Sequence, residues 1–133
     1  MIKRRFPFVA LQKAVYSALS LYQTTPIYDQ VPDDAGMPYI TIGSFTSKNG
    51  GTKDCDIAEI SQQLAIWSNY QGKAELNQIA NDIAEVLTAV VLDLSTDGFS
   101  VMSQDVDMME AFGTAEDGFF GAVTFVAKIQ NIK

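Results

Sequence analysis

The 133-residue chain contains no histidine and a single cysteine, Cys55. Without histidine, a Ser-His-Asp or Cys-His nucleophile system and any histidine-containing zinc site are excluded. A lone cysteine cannot close an internal disulfide, which agrees with a reducing compartment. Asp54 and Asp56 flank that cysteine and disfavour the thiolate that nucleophilic chemistry needs, so its expected role is structural or incidental. Long apolar runs are also missing, since no stretch approaches the roughly 18 consecutive apolar residues of a membrane span. The start, "MIKRRFPFVALQKAVYSALS", interrupts its apolar residues with lysine, proline and glutamine where a signal peptide would be unbroken. The expectation is a protein made and kept in a cytoplasm, with no membrane partner. Basic residues are scarce: Lys3, Arg4 and Arg5 stand together, and beyond them 6 basic residues face 16 acidic ones. So acidic a body repels phosphates, and no basic, aromatic-interleaved groove is present, which argues against sequence-specific reading of nucleic acid. Acidity is also a common device for solubility.

What is present is an ordinary globular composition, 47% apolar and 19% charged, which excludes a disordered tail or a fibrous repeat. The length suits one domain over residues 1–133, able to bury roughly two thirds of the surface its unfolded chain exposes. "FVALQKAVYSALSLY" sets Phe8, Leu11, Val15, Ala18, Leu19 and Tyr22 at helical spacing, with Pro7 where a first turn tolerates it. "QTTPIYDQVPDDAGMP" is punctuated by proline, acids and glycine and reads as a loop holding at most a short extended piece, "IYDQV". "GMPYITIG" then reads as a strand with Ile40 and Ile42 on one side and Tyr39, Thr41 and Phe45 on the other. "IAEISQQLAIW" alternates Ile60, Leu64 and Ile66 against Glu59, Ser61 and Gln63, a strand half buried and half wet. Between these two strands, "TSKNGGTKDCD" exceeds a tight turn. Its Asn49, Gly50 and Gly51 suit positive φ, which predicts a protruding hairpin arm too polar to order itself.

A second helix follows in "GKAELNQIANDIAEVLTAVV", with Leu76, Ile79, Ala80, Ile83, Leu87 and Val90 on one stripe. A closing hairpin pairs "FSVMSQDVDMM" with "FFGAVTFVAKIQ", in which Phe119, Val123, Phe125 and Ile129 point inward. The expected class is α+β: a mainly antiparallel sheet of about four strands, two helices packed on one side, and a long hairpin arm.

Candidate sites for chemistry are thin. Asp105 and Asp107 sit two apart on a strand and would share a face, yet two carboxylates make an incomplete shell for a hard cation. Gly50 and Gly51 lack the strand-to-helix setting and lysine of a phosphate-binding loop. Trp67 ends a strand on a polar face, where burial and an interface role are both open. No catalytic, cofactor-binding or metal site is expected, and an enzyme working through carboxylates alone would need a substrate cleft that the pattern does not show.

The succession "LQKAVYSAL", "IYDQVP", "PYITIG", "LAIWS", "IANDIAEVL" and "GAVTFVAKI" resembles the tail completion and tail terminator proteins of long-tailed bacteriophages, the head-to-tail joining family, over about residues 9–130. That resemblance implies a small α+β subunit of a hexameric ring at the end of the tail tube, which stops tube growth and offers a surface to the head connector. It implies a virion protein of the tail top or neck, made in the host cytoplasm. Its partners would be other copies of itself, the tail tube protein and a head-completion or connector protein, with DNA passing through the ring without sequence-specific binding. The basic start "MIKRRFP" is a departure from the family pattern. On this reading, Lys48, Asn49, Lys53 and Asp54 in the arm and Thr114, Glu116 and Asp117 in the later loop are docking candidates, with Trp67 and Tyr70 as subunit contacts. A small ligand-binding or regulatory α+β module shares the layout and stays open at this point.

Overall fold

The structure, a computed structural model, describes residues 3–69, 72–113 and 118–133. Helix α1 (Phe8–Tyr22) is followed by β1 (Ile27–Tyr28), β2 (Tyr39–Asn49), β3 (Ile57–Ser68) and α2 (Ala74–Ala89). A short 3-10 turn (Ser95–Asp97) then leads into β4 (Phe99–Gly113) and β5 (Phe119–Asn131). The strands form a five-stranded sheet in the order β1-β2-β3-β5-β4, antiparallel except where β1 runs beside β2. The α+β class holds, with one strand more than expected. The addition is β1, two residues from the "IYDQV" segment that pair with Ile40 and Thr41.

Both helices carry their apolar stripes onto one face of this sheet. From α1 come Ala10, Leu11, Val15, Ala18 and Leu19; from α2 come Leu76, Ile79, Ala80, Ile83, Val86 and Leu87. They meet Ile60, Leu64 and Ile66 of β3 and Val123, Phe125, Ala127 and Ile129 of β5 in a continuous core. The strict alternation of burial along β3 and β5 follows from the two-residue period of a pleated strand lying between a dry layer and an open one. Tyr22, expected on the inner stripe of α1, is 62% exposed because it falls in the last turn, past the packed region.

Phe45 corrects the expected alternation of β2. Ile42 pairs with Leu64 but Phe45 pairs with Gln62, so Gly43 and Ser44 together oppose Gln63 in a β-bulge. The extra residue reverses the parity of the strand, and Phe45 turns toward the core beside Ile40 and Ile42 instead of away from them. Gln62 accompanies the bulge. Fully buried, it donates through Nε2 to the carbonyl oxygens of Gly43 (3.1 Å), Ser44 (3.4 Å) and Gln63 (2.8 Å) around the irregularity.

The hairpin of β2 and β3 is long, but less of it is loop than the composition suggests. Lys48 and Asn49 still pair with Glu59 and Ala58, so only residues 50–56 connect the strands. That connection is hydrogen-bonded: Gly50 N to Ile57 O at 2.9 Å, Thr52 N to Cys55 O at 3.1 Å, and Gly51 N to Asn49 Oδ1 at 3.1 Å. The free, self-disordered arm expected from its composition is therefore replaced by a folded turn. Nor do its glycines supply positive φ, which among the described residues belongs to Gly72 and Gly98. Gly51 serves by close approach, since a Cβ there would collide with the Cys55 carbonyl oxygen.

Candidate functional site

The strand directions define two ends of the sheet. Because β2 and β5 run one way and β3 and β4 the other, residues 50–56, Asp97–Phe99 and Asn131 gather at one end. Tyr39, Ser68, Gly113 and Phe119 lie at the opposite end.

At the first end, the two arginines of the basic start are paired within the chain. Arg4 Nη1 lies 3.3 Å from Asp56 Oδ1 and 3.2 Å from Asn49 Oδ1, and the Arg5 backbone N–H donates to Asp56 Oδ2 at 2.8 Å. The Arg5 guanidinium donates to Asn131 Oδ1 (2.9 Å) and to the Asp97 carbonyl (2.7 Å) while lying 4.3 Å from the centroid of Phe99. Asn131 returns a bond from Nδ2 to Asp56 Oδ2 at 3.1 Å, and its backbone N–H reaches Asp56 O at 2.8 Å. One nearly buried carboxylate thus joins the N-terminal segment, the β2–β3 connection and the C-terminal strand. Sequence reasoning missed this cluster. Its only local sign is the basic triplet, whose partners lie 45 to 128 residues away.

This geometry sorts the predicted contact residues. Lys48 stands exposed on β2, and Lys53 and Asp54 stand exposed in the connection, free to meet a partner. Asn49 is committed to Arg4 and to the Gly51 N–H. Trp67 sits half-buried on the sheet face opposite the helices, its Nε1–H donating to Thr41 Oγ1 at 3.1 Å and its ring 4.6 Å from that of Phe120. Tyr39 pairs with Trp67 across the strands and touches Tyr28 edge-on, so these four aromatics form a strip at the second end of the uncovered face. Tyr70, Thr114, Glu116 and Asp117 lie outside the described residues.

Among the described residues, no three acidic or thiol side chains gather where a metal ion could be held. Asp105 and Asp107 do not form the same-face pair expected of them: a bulge between Val106 and Met108 takes Asp107 out of the ladder. The groove of about 400 Å³ between α1 and residues 90–97 mixes the apolar Leu21, Tyr22 and Val91 with the polar Lys13, Ser17, Asp93, Thr96 and Asp97.

The model of the family described as "Tail completion protein gp17" matches residues 7–129. The chain belongs to that family. As a tail completion protein it is a structural component of the phage virion, and the family is not one of enzymes. Among solved structures, a chain from "Virion of native gene transfer agent (GTA) particle" superposes with a TM-score of 0.82 at 20% identity, covering 92% of this chain and 96% of that one. At that identity the likeness shows a shared fold. No curated protein matches the sequence. The family match begins at Pro7, so the residues that build the Asp56 cluster, Lys3, Arg4 and Arg5, precede the matched region of this tail completion protein.

Proposed function

We propose that this tail completion protein caps the end of the tail tube as a ring, ends tube growth and presents the joining surface for the head connector. The observation that carries the reading is family membership over residues 7–129, combined with a sheet whose two ends both present exposed or aromatic surface. A terminator needs two docking faces on opposite sides, one for the tube protein and one for the head-completion protein. Lys53 and Asp54 in the connection serve one end. Thr114, Glu116 and Asp117, between β4 and β5, serve the other, with Trp67 and Tyr70 as subunit contacts. Six copies would close the ring, each subunit using two different patches as rotational closure requires. DNA passes through this ring without being read. The acidic excess suits that passage, because the two N-terminal arginines, which could have held phosphate, are paired with Asp56, Asn131 and backbone carbonyls.

Electron microscopy of the purified protein added to purified tail tubes tests the reading. Rings at one end of the tubes, with tubes that no longer elongate when more tube protein is supplied, are the expected result. Bare tube ends and undiminished elongation would refute it.

A further inference from the structure

Among the described residues, two strand edges of the sheet have no partner strand. Beyond Thr41, where β1 stops, the outer edge of β2 carries no ladder from Ile42 to Asn49. On the other side of the molecule, β4 is a 15-residue edge strand whose outer backbone groups pair with no other strand. Such edges are templates for pairing with another chain, and proteins that must stay monomeric shorten or cover them. This chain leaves both long.

The surfaces beside the two edges are complementary in charge and in polarity. On β2 stands the exposed Lys48, outside the single ion pair among the described residues, that of Arg4 with Asp56, while Lys53 lies beyond the strand in the connection, next to Asp54. Beside them an open groove of about 310 Å³, lined by Val9, Gln12, Lys13, Tyr16, Asp29 and Ile42, runs between α1 and the strand, with Val9 84% exposed. Along β4 stand the exposed acids Asp105, Asp107 and Glu110, together with exposed Met102, Met108 and Met109. The basic edge has an apolar groove, and the acidic edge has flexible apolar side chains of the kind that fill irregular gaps.

We propose that the β4 edge of one copy of this chain docks on the β2 edge of the next, with Asp105 beside Lys48 and Met109 entering the groove at Val9, Tyr16 and Ile42; through the shared registers Lys48 is level with Ser103, two residues from Asp105, and Ile42 is level with Met109. The occupant is a second copy because the two edges complement each other within one sequence. A contact between two different patches is the heterologous kind that closes a ring. Within the chain β2 and β4 run in opposite directions, so copies related by rotation about an axis along the strands pair them antiparallel. The two ends of the sheet then stay free for tube and connector. The inference deepens the proposed ring and rests on it only for the identity of the assembly.

Charge reversal at each edge separately tests it. Lys48→Glu, or Asp105→Lys, places like charges across the contact, and each is expected to lower ring occupancy on purified tail tubes at least about tenfold. Circular dichroism and melting should stay unchanged, because both side chains are exposed. A chain carrying both reversals should assemble again. In a second arm, Lys48→Cys and Asp105→Cys in a Cys55→Ser background should give multimers linked by a short bismaleimide, whereas either cysteine alone should not. Normal rings from a single-edge reversal, or no linked multimers in assembled rings, would overturn the edge contact and leave the proposed function standing. If the wild-type protein forms no rings on tubes, the proposed function fails, and cross-linking of the double-cysteine protein in concentrated solution still decides the contact: linked multimers support it, their absence refutes it.

Discussion

Asp56 shows how one side chain can organise distant parts of a chain. Its carboxylate accepts from the Arg5 backbone N–H, the Arg4 guanidinium and Asn131, and it is 8% exposed. Truncation to alanine strands three donors and is expected to cost about 1–3 kcal/mol, measurable by urea denaturation. A loss below the error of that measurement would mean that solvent replaces these bonds at no cost. Cys55, its neighbour in sequence, contributes only its backbone carbonyl to the turn, so Cys55→Ser should leave melting and assembly unchanged. Failure of particles carrying the serine variant would give the thiol a role. In the core, Leu76, Ile83 and Leu87 are each fully buried, and alanine at any of them should cost about 2–5 kcal/mol through lost apolar contact and the cavity left behind. Losses under about 1 kcal/mol at all three would mean that α2 packs through a different face.

Strand β2 carries the lesson of the next scale. Period-two reasoning assumes an uninterrupted ladder, and under it Phe45 belongs on the face opposite Ile40. The bulge at Gly43–Ser44 moves Phe45 onto the core face, where its ring lies 5.0 Å from that of Phe8 on α1, and leaves Thr46 exposed. Phe45→Ala is therefore expected to cost about 2–4 kcal/mol, somewhat less than for a fully enclosed ring. Thr46→Ala should fall within about 0.5 kcal/mol. Thermal unfolding of the two variants checks the pair, and the reverse order would mean that the strand is regular. The bulge could not be read from its residues, because Gly43 and Ser44 are equally at home in a flat strand. What marks it is Gln62, a polar side chain buried across the sheet that donates to the carbonyls around the bulge.

For the whole molecule, charge is the property most directly tied to function. With a net charge of −7 and both N-terminal arginines already paired, the protein should give no shift of duplex DNA in a mobility assay, even at about 50 mM salt, where non-specific phosphate contacts are strong. A salt-dependent shift would show that Arg4 and Arg5 leave the Asp56 cluster, or that the exposed Lys3 suffices, to meet phosphate. The acidity, the lack of histidine chemistry and the two helices with their inner stripes were readable from the sequence, because each is a matter of composition or of a local period: 3.6 residues for a helix, 2 for a strand. The order of the long strands was readable for the same reason, and β1 escaped because two residues carry no period. What only the tertiary structure decided is where distant segments meet. The arginines of the basic triplet became an internal clamp because Asn131, 126 positions from Arg5, arrives beside them. The polar connection after β2 became a folded turn because Arg4 and Arg5 reach Asn49 and Asp56. The two unpaired edges came to lie on opposite sides because β5 inserts between β3 and β4. Contacts of this kind depend on register and on loop closure across the whole chain, and no window of neighbouring residues contains them.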